Sequence, residues 1–589
     1  MNNYYVTPIC TPSRSTLMTG KYPIHTGMQH SVLFGGEARG LPLAEKLLPE
    51  YLKELGYTNR IVGKWHLGWY TKEYTPTYRG FDSHLGYWTG HQDYFDHTAV
   101  EGTNWGLDMR RNMEVAYDLH GSYSTDVFAK EAVNVINSHN SSTPLFLYLA
   151  HAAVHSGNPY NPLPAPDETV EKFDYITDYK RQRFAAIMSK LDDSVGAVVN
   201  ALAERNMLEN SVIIFSTDNG GAEAGFNLNH ASNYPLKGGK NTLWEGGVRG
   251  AGLLWSPLIK QPQRVARQFV HISDWLPTLL SIAGGNVSQL ENIDGVDQWQ
   301  SLSEDLASTR TAILHNIDDI YGNAALTVGT WKLVKGTTAI GAWDNWYGPS
   351  GRDYDYNATL VIDSVTGQAL KSINISLTPE MIEILRNFST ISCSNRNVTC
   401  KPLQASCLFN IAEDPCEMNN LADEYPEILK SLEETLIKFN NTAVLPGNLP
   451  VDHRGDPKYW NYTWTNFGDY INEHSGATGL RGTFPPATHA HSTSHSQTYT
   501  TLIHPRAPFP DGTRTRADLA VVFERVSLFL PPPYRQPLID IHTHPWPGGG
   551  SFLRKNPPPS AGFEPTSAGT STSEHCLRQP CGQPYSKVG

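Results

Sequence analysis

The sequence predicts an α/β domain, a mainly parallel sheet flanked by helices, followed by a smaller α+β domain. Three observations carry this: helical stripes and apolar strand-like runs alternate three times before residue 220, polar residues cluster just after those runs, and the texture changes near residue 320. From Leu43 to Leu55 the apolar residues Leu47, Leu48, Tyr51, Leu52 and Leu55 form a helical stripe that Gly56 ends. "RIV" at 60–62 then reads as a short strand running into "GKWHLG". A second stripe, Val127, Phe128, Ala132, Val135 and Ile136, precedes the buried strand "PLFLYLA" at 144–150. A third, Phe184, Ile187, Leu191, Val195, Val198 and Leu202, precedes "SVIIFSTDNGG" at 211–221. In open parallel sheets the loops after the strands build the site. Lys64, His66, His151, His155, Asp218 and Asn219 all fall there.

At 589 residues the chain is too long for one simple core. Residues 1–319 read as the main domain and 320–480 as the smaller one, with shorter runs and one further helix in "YPEILKSLEETLIKF". Residues 481–589 lose periodicity in Pro, Ser, Thr and His tracts, and are expected to be disordered or foreign to the protein. The "HTH" at His542 to His544 lacks a partner carboxylate and is not read as a metal site. A net charge of −12 argues against a nucleic-acid partner, so an anionic substrate would need local cations.

No apolar run approaches the ~20 residues of a membrane span, and "MNNYYVTPIC" is no signal peptide. Yet Asn140, Asn286, Asn357, Asn374, Asn387, Asn397, Asn440 and Asn461 each begin N-x-S/T without proline, and four cysteines cluster between Cys393 and Cys416. Both features belong to the secretory pathway. The chain is therefore expected to have lost its beginning. The four clustered cysteines allow three pairings, which the sequence leaves open.

Cys10 stands alone, far from the other six cysteines. It can be a buried small side chain, a disulfide partner or a reactive group. Its frame, "CTPSRSTLMTG", is very similar to the sulfatase signature C-x-P-S-R-x-x-L-x-T-G, and "GYTNRIVGKWHLG", "STDNGG" and "KGGKNTLWEGGVRG" resemble the other sulfatase blocks in the same order. The resemblance covers residues 1 to about 470 and is greatest to the arylsulfatase B (N-acetylgalactosamine-4-sulfatase) type. It implies an alkaline-phosphatase-like fold and a lysosomal or secreted sulfuric ester hydrolase acting on a sulfated glycan or aryl sulfate.

The resemblance further implies that Cys10 is oxidised to formylglycine by the formylglycine-generating enzyme. The hydrated aldehyde takes sulfate on one hydroxyl and expels it through the other, splitting one hard step into two. Arg14, one helical turn on, would steady that group. Lys64, His155 and Lys240 would bind sulfate, His66 would act as base, and His155 would protonate the leaving alcohol. Cys10, Asp218 and Asn219 would contact one Ca²⁺, the last two offering hard oxygens; by themselves Asp218 and Asn219 fit a turn equally well. His151 departs from the usual family residue and is expected in the framework or at an altered substrate contact.

Sulfatases of this type begin with an apolar strand leading into an Asp-Asp pair well before the signature cysteine, and the nine residues before Cys10 hold neither. The chain as it stands is thus expected to bind calcium poorly and to turn over little substrate. Two alternatives follow: a sulfated-glycan-binding protein with unmodified Cys10, and a phosphate-ester hydrolase, which the cysteine in place of Ser or Thr disfavours.

Overall fold

The computed structural model describes residues 1–223, 226–348, 356–393, 397–471 and 519–525. His542 to His544, Cys576 and Cys581 lie outside them. Strands are numbered in chain order: β1 Tyr4–Tyr5, β2 Thr58–Lys64, β3 Ser83–Tyr87, β4 Thr98–Glu101, β5 Asn104–Leu107, β6 Arg110–Arg111, β7 Glu114–Val115, β8 Leu145–Ala150, β9 Ser211–Thr217, β10 Gly252–Trp255, β11 Val270–His271, β12 Ala312–Asp318, β13 Asn323–Val328, β14 Trp331–Lys335, β15 Cys407–Asn410 and β16 Leu519–Arg525.

The main sheet runs β10-β9-β16-β8-β2-β3-β6-β7. Its centre, from β9 to β3, is parallel, and the edges β10, β6 and β7 are antiparallel to their inner neighbours. Both faces of the centre are buried, which is why β8 is an unbroken apolar run. Leu145, Leu147 and Leu149 pack on one side with the helices Ser124–Ser138 and Tyr179–Glu204; Phe146, Tyr148 and Ala150 pack on the other with Cys10–Thr19, Leu48–Glu54 and Trp275–Ile282. All three helical stripes read from the sequence form helices. The first is shorter than its stripe, starting at Leu48, because Pro49 sits in the first turn and Glu50 accepts the Leu47 N–H at 2.8 Å.

The second sheet, β12-β13-β14-β15, is antiparallel and covered by the helix Pro426–Asn440 through Leu432 and Leu436. It corrects the expected boundary. β12 lies within the expected main domain but pairs with β13, so a division at 319/320 cuts a hairpin whose two strands share one ladder. The cysteine cluster resolves into Cys393–Cys416 and Cys400–Cys407.

β16 departs most from the sequence reading. It comes from the expected unstructured tail, yet it lies between β8 and β9, parallel to both, with Glu524 in register with Ala150 and Ser216. A seven-residue run, "LAVVFER", meets the length and apolarity of a doubly covered strand even though its flanks are polar. β8 and β9 have no direct pairing, so this strand joins the two halves of the sheet.

The amides of 519–525 should therefore exchange as slowly as those of β8 and β9. Val521→Pro, which removes a ladder donor from a central strand, should destabilise the chain by about 3 kcal/mol. Fast exchange with an unchanged melting temperature would take β16 out of the sheet.

Candidate active site

The carboxyl edge of the main sheet gathers the residues singled out in the sequence. Lys64 ends β2 and His66 follows; His151 and His155 follow β8; Asp218 and Asn219 follow β9. Cys10 faces this edge from the first turn of a helix that is buried along its whole length. Ile9 is extended at its N-cap, and Gly20, at φ 68°, closes the other end through its N–H to Thr16 O at 2.9 Å.

Cys10 is 2% exposed, and its thiol points to Asn219 Oδ1 at 3.6 Å. Burial alone would push the thiol up. The charges of Lys240 and then Lys64 oppose it, and the net direction is a thiol well below its ordinary range. Cys10 is thus set among cations that favour a negative charge at its position, the charge pattern that an oxyanion would meet in the same place.

Arg14 lies one turn along the Cys10 helix. It donates to Lys64 O at 3.0 Å, Tyr148 Oη at 3.3 Å and Asp218 Oδ2 at 3.3 Å. One guanidinium therefore ties the helix to the ends of β2, β8 and β9. Lys64 is 1% exposed, and its ammonium has no hydrogen-bond partner. Burial lowers its pKa, with Cys10 opposing and Arg14 adding to the effect.

His66 has a positive φ of 60°, a conformation that costs energy outside glycine and that recurs at functional sites. Its Nε2 meets Leu33 O at 2.9 Å. A carbonyl only accepts, so Nε2 carries the proton and Nδ1 the lone pair. Burial, then Lys64, hold the ring down at about 4. His155 is fixed likewise: Nδ1 donates to Ser156 O at 2.8 Å, and Nε2 accepts from Lys240 Nζ at 2.8 Å. Burial and then Lys240 hold it at about 4.

Lys240 rides on a glycine-rich segment threaded against the sheet edge. Its N–H donates to Gly221 O at 2.9 Å, and the Asn241 N–H donates to Pro8 O at 2.7 Å, two residues before Cys10. Close approach explains the glycines: a Cβ on Gly220 would stand 1.7 Å from Gly246 O. Behind it, Lys332 of the second sheet bonds Glu245 Oε1 at 2.9 Å and pairs with Glu417 at 2.8 Å, all three fully buried. Glu417 also accepts the Glu245 N–H at 2.7 Å.

His151 does not join this group. Its Nε2 meets Ser194 Oγ at 2.8 Å and its ring lies 6.2 Å from that of Phe128, inside the helical layer, so it is framework. The loop "HQDYFDHTAV" at 91–100 carries no signal of its own in the sequence. The structure brings His91 from it, and Glu101 from the end of β4, to the rim of the site.

Asp218 and Asn219, both fully buried, are chemically suited to a hard cation. They are too few to close a calcium shell of roughly 6–8 oxygens. Among the described residues no group of three His, Cys, Asp or Glu side chains is placed to hold a metal ion. No chemical step is therefore assigned to such an ion.

The carboxyl edge of the sheet thus gathers a buried cysteine, two buried lysines and two neutral histidines, a pocket suited to an anion. Comparison with known proteins makes this specific. The sulfatase family profile matches residues 1–285. Arylsulfatase J of Mus musculus is 39% identical over 472 residues, covering 79% of this chain and 73% of that protein. N-acetylgalactosamine-6-sulfatase of Homo sapiens is 29% identical over 362 residues, covering 59% and 66% respectively. Among solved structures, Ps i-CgsB in complex with k-i-k-neocarrahexaose matches with a TM-score of 0.58 at 25% identity, covering 77% of this chain and 86% of that one. The chain belongs to the sulfatase family, with its alkaline-phosphatase-like fold, and is by that membership a sulfuric ester hydrolase.

Two predictions follow from the geometry. Lys64→Met should raise the pKa of Cys10, read from thiolate ultraviolet absorbance against pH; an unchanged titration would remove Lys64 from the thiol's surroundings. Burial holds His151 at about 3, against an ordinary 6.5, so folding favours its neutral ring. As pH falls from 6.5 towards 3 the unfolded chain takes up a proton that the folded chain refuses, and stability drops by ~1.4 kcal/mol per pH unit. His151→Gln keeps a partner for Ser194 and should remove that slope from the acid limb of the stability curve.

Proposed function

We propose that this sulfatase is of the arylsulfatase B kind, cleaving sulfate from sulfated galactosamine glycans or aryl sulfates through formylglycine at Cys10. The observation that carries this is the fully buried ammonium of Lys64, whose Nζ has no hydrogen-bond partner, close to Lys240 and Cys10. A buried charge with no hydrogen bond is costly, and a sulfate oxygen would satisfy it.

Once formed, formylglycine supplies a hydrated aldehyde that accepts and then sheds the sulfuryl group. The chain's own residues do the rest. Lys64 and Lys240 hold the sulfate oxygens where charge develops. His66, with its Nδ1 lone pair free of the Leu33 bond, takes the proton from the attacking group. Arg14 keeps the Cys10 helix fixed against the sheet edge. An anion placed between Lys240 and His155 would offset the ammonium that now depresses the ring, so His155 gains a proton at Nε2 and passes it to the leaving alcohol.

Asp218 and Asn219 are the donors that the described residues offer to calcium, and with so few the ion is expected to bind weakly. Millimolar calcium should shift the melting temperature by less than about 1 °C; a larger, saturable shift would show a closed site. The same short donor set favours a second reading, a sulfated-glycan binder that leaves Cys10 unmodified.

The secretory route and lysosomal or secreted destination are supported by surface chemistry. Seven of the sequon asparagines are exposed and Asn357 is half-buried, and the cysteine cluster is bridged twice. No helix among the described residues is long and apolar enough to cross a membrane. Modification of Cys10 would fall to the formylglycine-generating enzyme of that pathway.

The test is the mass of the Cys10 peptide from chain secreted by cells that carry that enzyme. A loss of about 18 Da marks the aldehyde. An intact thiol in folded protein would favour the glycan-binding reading. If the modified chain hydrolyses an aryl sulfate, Lys240→Ala should lower kcat/KM by about 100-fold or more.

A further inference from the structure

The mechanism leaves one buried carboxyl beside the pocket without a role. Glu101, at the end of β4, has a side chain only 9% exposed, and burial pushes its pKa up to about 7. The N–H groups of Gly90 and Gly35 hydrogen-bond toward it and favour its charged form. Its Oε1 lies 3.8 Å from Nδ1 of His91, beyond hydrogen-bond distance, so the two groups face each other without satisfying each other.

His91 joins this pair to the sulfate pocket. Its ring stacks on that of His155, centroids 6.1 Å apart and 20° between planes. It lies within the electrostatic reach of Lys64, His66, His155 and Lys240. At 20% exposure it is open to solvent where His66 and Lys64 are sealed. A group bonded to the oxygen that His155 serves would have the His91 ring as its neighbour.

We propose that His91 and Glu101 form a sugar subsite, binding the ring hydroxyl or amide next to the sulfated oxygen; this rests on the sulfatase reading above. A neutral imidazole offers one donor and one acceptor, and the carboxyl accepts from a hydroxyl. A sugar hydroxyl can bridge the 3.8 Å gap by bonding to both. A simple aryl sulfate has no such group, so the pair selects glycan over aryl leaving groups.

The experiment uses the full chain with Cys10→Ala, which prevents turnover, titrated calorimetrically with two probes: inorganic sulfate and N-acetylgalactosamine 4-sulfate. His91→Ala and Glu101→Gln should each weaken the sugar sulfate about 10-fold while sulfate stays within about 2-fold. His91→Gln, which keeps a donor and an acceptor, should recover most of the loss. Equal weakening of both probes, or no weakening of either, overturns the subsite. Binding of sulfate but not of the sugar overturns it alone; binding of neither probe overturns the sulfatase reading with it.

Discussion

Three cations, Arg14, Lys64 and Lys240, are buried together at one edge of a sheet in a chain of net charge −12. Like charges held out of water repel and lose hydration, so such a cluster persists only where the fold forces it and anions answer it. Asp218 answers Arg14, and the lysines favour the charged form of Cys10. Elsewhere the molecule solves the same problem completely: Lys332 sits between Glu245 and Glu417. The pocket is the place where the answer is incomplete, and that deficit is what makes it a receptor for an oxyanion.

The fold supplies the force. Parallel strands end on one edge, so three loops far apart in sequence deliver Lys64, His155 and Asp218 to one place. Arg14 fastens the Cys10 helix to that edge. Lys240 arrives from the glycine-rich segment, which the backbone bond from Asn241 to Pro8 holds in front of Cys10. The second sheet acts through the same segment, since the Lys332 triad grips Glu245 and its backbone. Its part is to brace the cation cluster, which explains a joint built of fully buried charges.

Much of this was legible because its signals are local. Helical stripes and unbroken apolar runs mark a doubly covered parallel sheet, and the Cys10 frame and the three blocks after it mark the pocket. Signals that depend on long-range pairing were not. The β12/β13 hairpin hides across the apparent texture change at 320. β16 is a short apolar run inside polar flanks, readable as a strand only once a gap between β8 and β9 is seen. His91 and Glu101 are ten residues apart, and only the turn between them, closed by the Asp93 N–H on Thr98 O at 2.8 Å, folds the second back upon the first. His151 shows the converse: it follows a strand as a site residue would, but its ring turns into the helical layer.

The deficit of negative charge in the pocket is tested most directly by sulfate itself. Sulfate stabilises proteins generally by exclusion from their surfaces, so the comparison must be with a chain that differs only in the pocket. The melting temperature of the full chain should rise saturably with sulfate, above the rise in sodium chloride of equal ionic strength, and Lys64→Met should abolish the excess. An identical sulfate response in the two proteins would mean that the buried lysine does not await an anion, and the account of this site would fail.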